Sequence, residues 1–126
     1  MLDPTQTIQI FQKHAEPKVF AAGSVIFEQG QPVDFMYGIL EGEVDVVLNG
    51  KVVETLKPGQ VFGAGALIRQ DGRRHTAIAR TDCKLAYLDE SRFLFAVQET
   101  PMFALEVLKA YADRLDRIDH LTSLIA

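Results

Sequence analysis

Apolar residues recur three and four apart at both ends of the chain and alternate with polar ones between them, so periodicity divides the sequence into helix, sheet and helix. Near the N-terminus, Ile8 and Phe11 lie on one face with Ala15 four positions further on. Asp3 is placed to cap this segment and Pro4 suits the first helical position, which predicts a helix over 4–15 that stops before Pro17. Residues 17–88 read as strands. Short runs rich in Val, Ile, Phe and Tyr, at 24–27, 36–40, 43–48 and 51–56, are separated by Gly23, Gly30, Gly42, Gly50 and Gly59. Asn49-Gly50, between VDVVL and KVVETL, predicts a two-residue type I′ hairpin turn. Two further strands, 74–81 and 84–88, join at Thr81-Asp82. Asp89 then opens a helix over 89–99 whose Phe93, Leu94, Ala96 and Val97 face the core, and Pro101 separates it from a last helix over 102–124.

In that last helix Ala104, Leu108, Tyr111, Leu115 and Ile118 step by 4, 3, 4 and 3, the alternation of a coiled-coil seam. Phe103, Val107 and Ala110 make a second apolar face, so the first half of the helix needs two partners. One is the domain's own core. The other is expected to be a second copy, giving a homodimer through Leu108, Tyr111, Leu115 and Ile118, with Asp113 and Arg117 bracing the solvent side.

Composition limits the remaining possibilities. A chain of 126 residues, 48% hydrophobic, can bury one core, so a single domain over 1–126 is expected. A net charge of −4 gives no footprint for direct DNA binding. The single Cys83 cannot form an intramolecular disulfide; it is expected as a buried, inert thiol in a reducing compartment. The N-terminal MLDPTQTIQIF has neither a basic leader nor a long apolar run, so a cytoplasmic protein with no membrane partner is expected. His14, His75 and His120 fall in three elements without ligand spacing, and Cys83 has no histidine partner nearby in sequence. No metal, no catalytic residue and no enzyme activity are expected.

Candidate chemistry concentrates in residues 59–81, GQVFGAGALIRQDGRRHTAIART. Gly63, Ala64 and Gly65 are small residues leading through Ala66 into a helical turn, whose free N–H groups and positive dipole end suit an anion. Arg73 offers a planar fork able to give two charge-assisted hydrogen bonds to one phosphate, and Arg74 and Thr76 join it as candidate ligand contacts. Between 69 and 80 four arginines stand against one acid, Asp71. A positive island in an acidic chain fits a small anionic ligand better than a nucleic-acid backbone.

This stretch resembles the phosphate-binding cassette of the cyclic nucleotide-binding domain, the regulatory β-roll of Crp/Fnr-type regulators, protein kinase A regulatory subunits and cyclic-nucleotide-gated channels. Phe62-Gly63, Ala66-Leu67-Ile68, Arg73 and Thr76-Ala77-Ile78-Ala79 fall at the family's spacing. Ala22-Gly23-x-x-Ile26, Gln29-Gly30-x-x-x-Asp34-Phe35-x-Tyr37, Leu40-x-Gly42-x-Val44 and Pro58-Gly59 extend the match over roughly residues 19–95. The resemblance implies a mainly β fold with flanking helices, a double-stranded β-helix of jelly-roll or β-roll type. It implies cAMP or cGMP as ligand and no other cofactor. Val46, Val53 and Phe62 would line the base pocket, and the last helix would lie over it.

One position departs from the family pattern. The glutamate that holds the ribose 2′-hydroxyl is replaced by Ala64, and the usual Leu or Met after it by Gly65. A charged hydrogen bond contributes roughly 1.5–3 kcal/mol, so its loss weakens binding by about 10- to 100-fold. Three functions remain open: a weak or altered cyclic-nucleotide sensor, a receptor for another small phosphate or anion, and a degenerate module acting through protein contacts alone. No helix-turn-helix segment follows the last helix before Ala126, so the chain resembles a Crp/Fnr-type sensor domain standing alone. An effector protein or a dimer rearrangement would carry its signal.

Overall fold

The computed structural model describes the backbone of residues 3–125 and the side chains of residues 3–117. Its elements in order are α1 (Pro4–Phe11), β1 (Lys18–Phe20), β2 (Val25–Phe27), β3 (Met36–Glu41), β4 (Val44–Leu48), β5 (Lys51–Leu56), β6 (Val61–Phe62), α2 (Ala64–Arg69), β7 (Thr76–Ala79), β8 (Cys83–Leu88), α3 (Glu90–Glu99) and α4 (Met102–Ile125). The eight strands form two antiparallel sheets in the orders β1-β8-β3-β6 and β2-β7-β4-β5. This is the expected mainly β roll with flanking helices.

Alternation along the strands explains the layers. Tyr37 and Ile39 of β3, with Leu85 and Tyr87 of β8, point between the sheets, where they meet Phe27, Val44, Leu56, Phe62, Ala77 and Ala79. Met36, Ala86 and Leu88 point the other way and pack under the helices against Ile8, Leu67, Ala96, Phe103 and Val107. The first sheet is therefore buried on both faces, which is why MYGIL and KLAYL carry so few polar residues. The outer face of the second sheet is polar instead. Thr55 donates to Asp45 at 2.7 Å, and Arg80 lies 3.9 Å from both Glu43 and Asp45.

Asn49 (φ 51°) and Gly50 (φ 78°) take the left-handed conformations of the predicted turn and join β4 to β5. Beyond the turn the pairing is not simple. Leu48 pairs with Lys51 and Val47 with Val52, yet Val46 pairs with Glu54, so Val53 is an extra residue in a β-bulge.

Two helices differ from expectation. Helix α1 is capped by Asp3 in a capping box with Gln6, but it ends at Phe11 rather than residue 15. Gln12 turns extended there, and its side-chain amide donates to the carbonyls of Ala15 and Glu16, at 3.2 and 3.3 Å, which fixes the segment after the helix. On α4, Phe103 and Val107 face the core as expected, but the seam is rearranged. Leu108 and Leu115 are each 61% exposed and are joined by exposed Leu105, whereas Tyr111 turns inward. Ile118 lies outside the residues whose side chains are described.

Candidate functional site

The site begins where β6 ends. Gly63 takes a left-handed φ of 82° and caps the six-residue α2 without a side-chain hydrogen bond. Its carbonyl accepts a hydrogen bond from Arg73 Nη1 at 2.9 Å, and a Cβ at this position would meet that same nitrogen at 2.8 Å. Backbone angle and close approach both therefore require glycine.

Arg73 is 3% exposed, folded back under the cassette. Its Nη2 pairs with Asp34 Oδ1 at 3.0 Å and also donates to the Phe35 carbonyl, while the guanidinium lies 3.9 Å from the centre of the Phe27 ring. Asp34 in turn accepts from the Phe35 N–H at 2.6 Å. Arg73 thus ties the β6–α2 turn, the segment before β3 and the core into one unit. Only its Nε is left buried without an acceptor.

Ala64 is fully buried in the helix-side core, and its N–H donates to the Tyr111 hydroxyl of α4 at 3.0 Å. Helix α4 reaches the second sheet one turn later. The Arg114 guanidinium stacks 4.7 Å from the Tyr111 ring, and its Nε lies 3.7 Å from Glu54 Oε1 of β5, an oxygen that also accepts from Arg117 Nη2 at 2.7 Å. The Arg114 side chain is only 11% exposed, and its Nε and Nη2 have no hydrogen-bond acceptor. A continuous line of contacts therefore runs from the cassette amide through Tyr111 and Arg114 to Glu54.

The remaining predicted residues divide. Gly65 and Ala66 lie on α2, with Ala66 buried. Arg74 is exposed and pairs with Asp71 at 3.1 Å, a hydrogen bond that holds the Asp71 carboxyl below the usual carboxylate range. Thr76 accepts from the Gln29 N–H at 3.0 Å, so its hydroxyl ties β7 to the β2–β3 loop. Phe62 stacks on Tyr37 with ring centres 5.3 Å apart and is a core residue. Val46 faces the core and is partly buried. Val53 is displaced from the expected pocket wall: as the bulge residue it is 55% exposed, and Glu54 takes the inward register opposite Val46. Sequence reading missed Asp34, Glu54 and Arg114 as site residues. An acid two residues before the buried Leu56 was the available signal for Glu54.

Elsewhere, the larger cleft, about 870 Å³, lies outside the roll between the Gly30–Asp34 loop, α2 and the start of α3; Asp34, Asp71, Asp89 and Glu90 line it, which disfavours an anion. Burial pushes the Cys83 thiol pKa up, and its sulfur contacts the Glu43 and Thr81 carbonyls, as a packed, unreactive cysteine would. Among the described residues no His, Cys, Asp and Glu cluster could hold a metal, and no helix is long and apolar enough to cross a membrane.

The family model for the cyclic nucleotide-binding domain matches residues 17–100, two thirds of the chain. The protein belongs to this family. It is 45% identical over 76 residues to the cAMP-dependent protein kinase regulatory subunit of Schizosaccharomyces pombe, covering 60% of this chain and 18% of that one. Over 104 residues it is 30% identical to the cGMP-dependent protein kinase of Plasmodium berghei, covering 82% of this chain and 12% of the kinase. The chain thus spans less than a fifth of these relatives. The fold is similar to that of the Thermus thermophilus catabolite activator protein, with a TM-score of 0.81 at 22% identity over 99% of this chain and 60% of that one.

Proposed function

We propose that this domain is a non-catalytic sensor that binds a cyclic nucleotide, with the phosphate along residues 63–66 beside Arg73 and the base directed toward Val46. The observation that carries this reading is the buried Arg73, fixed against Gly63 and Asp34 at the edge of the cassette with one donor unused. A guanidinium held in place needs little reordering to meet a phosphate, which lowers the entropic cost of binding. Ala64 supplies no acceptor for the ribose, so affinity is about 10- to 100-fold below that of a site with the carboxylate.

Calorimetry and thermal melting with cAMP, cGMP and inorganic phosphate test this. Stabilisation by a cyclic nucleotide, growing as the logarithm of its concentration, is the expected result. No shift with any cyclic nucleotide at millimolar concentration overturns it. A shift with phosphate alone assigns the site to another small anion.

A second reading has its own support. The Tyr111 hydroxyl already occupies the Ala64 N–H, as it would in a module that works through protein contacts with its site closed. In either case the exposed Leu105, Leu108 and Leu115 on α4, spaced three and seven apart, suit a homodimer seam. We place the domain in the reducing cytoplasm, passing its state to an effector protein through that helix.

A further inference from the structure

We propose that Glu54 and Arg114 form a base-reading pair that selects guanine, so that the site prefers a cyclic guanosine nucleotide to a cyclic adenosine nucleotide. This rests on the cyclic-nucleotide reading above and specifies the ligand that reading leaves open.

The first ground is position. Cross-strand partners share a face of a sheet, and Glu54 is the partner of Val46, two residues from the fully buried Leu56. A carboxylate therefore stands at a core-facing register of β5, on the same face as Leu56. Arg114 reaches it from α4, and Tyr111, one turn earlier on that helix, touches the cassette at Ala64. Glu54 and Arg114 thus stand one helical turn of α4 beyond the residue that touches the cassette. A ligand with its phosphate along the cassette directs its other end at them.

The second ground is unspent hydrogen-bonding capacity. Arg114 is nearly buried, yet its Nε and Nη2 have no acceptor, and Glu54 Oε2 makes no hydrogen bond among the described residues. Buried donors without acceptors destabilise a fold, and such a group in a native chain marks a place that a ligand completes. Tyr111 stacking and the 3.7 Å approach of Glu54 hold the guanidinium without satisfying it.

The third ground is the match of donors and acceptors. A guanidinium only donates and an ionised carboxylate only accepts. Guanine offers O6 and N7 as adjacent acceptors, the usual partners of an arginine fork, and N1–H and the 2-amino group as adjacent donors, which suit two carboxylate oxygens. Adenine keeps N7 as an acceptor but reverses the groups at positions 6 and 1. Its 6-amino group sets a donor against the Arg114 donors, and its bare N1 sets an acceptor against Glu54. A site built to hydrogen-bond one base leaves its polar groups unpaired with the other, which is the stronger form of discrimination.

Calorimetric titration of the intact chain with cGMP, cAMP and the cyclic monophosphate of inosine, which lacks only the 2-amino group, provides the test. The expected order is cGMP tightest by about 10-fold over cAMP, with the inosine nucleotide between them. Glu54→Gln should lower cGMP affinity by about 10-fold and leave cAMP within about 3-fold. The inosine comparison uses the unaltered protein, so it decides the matter even if the variant unfolds. Equal binding of cGMP and cAMP, an inosine nucleotide as tight as cGMP, or a folded Glu54→Gln protein with an unchanged ratio overturns guanine selection and leaves the sensor reading intact. Binding of none of the three overturns both.

Discussion

Arg73 and Arg114 are both arginines drawn out of water beside the same cassette, and the protein treats them oppositely. Arg73 gives hydrogen bonds to Gly63, Asp34 and Phe35 and stacks on Phe27. Arg114 has one carboxylate at 3.7 Å and one ring face, with two donors facing nothing. A buried charge with both terminal nitrogens partnered is tied into the scaffold; removing it strands those partners. A buried charge with partners missing adds little to folding and stays available to a ligand. The cassette's arginine, which looked from sequence like a freely offered clamp, is already anchored at both terminal nitrogens and keeps only its Nε unpaired, whereas Arg114 on the helix has two donors without acceptors.

The largest effect should come from setting these two against each other. Arg73→Ala leaves the Gly63 and Phe35 carbonyls unpaired and opens space over Phe27, and is expected to cost about 3 kcal/mol, on the order of 10 °C in Tm. Arg114→Leu removes two orphaned donors and should change stability by less than about 1 kcal/mol. Melting curves of the two variants check the contrast, and equal losses would abolish it.

A smaller effect is expected at Ala64. Sequence alone suggests that restoring a carboxylate there would restore ribose binding, but Ala64 is fully buried in the cluster that holds Val61, Leu67, Phe103 and Val107. Ala64→Glu should therefore destabilise the free protein by about 2 kcal/mol unless α4 moves away. Denaturant unfolding measures the loss, and ligand that rescues it would show the helix moving to expose the carboxylate.

The smallest effect is expected at Tyr111. Tyr111→Phe frees the Ala64 N–H for a ligand and removes one hydrogen bond, so stability should fall by about 1 kcal/mol while cyclic-nucleotide affinity rises about 5-fold. Paired melting and titration check the two signs. An affinity that falls would mean the hydroxyl belongs to the ligand's own hydrogen-bond set.

What the sequence revealed and what it hid follow one physical division. Asn49-Gly50, the Asp3 cap and the Gly63 turn are local: their backbone conformations are dictated by the residues that adopt them, so they were legible. The exposure of Val53 was not, because a bulge shifts the residues on its turn side and its place is settled by how the hairpin meets β7 rather than by alternation. The inward turn of Tyr111 was hidden for a similar reason. A helical stripe fixes which residues share a face, while which face turns to the core depends on tertiary packing. Arg114 continues the Phe103, Val107 and Ala110 face at helical spacing, but an arginine on an amphipathic helix ordinarily faces water.

The strand order carries a consequence for how the chain acquires its structure. The β4–β5 hairpin closes over two residues, β7 then lies against β4, and β2 lies against β7, while β1 must wait for β8, pairing Lys18 with Leu85. The pairings enclose one another like brackets around Asn49-Gly50. During synthesis on a ribosome the innermost bracket can close early, but the first strand stays unpaired until most of the domain has emerged. Long-range closure of this kind is slow because the loop entropy is lost before the contacts form. A nascent chain halted before β8 therefore exposes the edge of β1 and the inner face of β3, the segments most in need of a chaperone's cover.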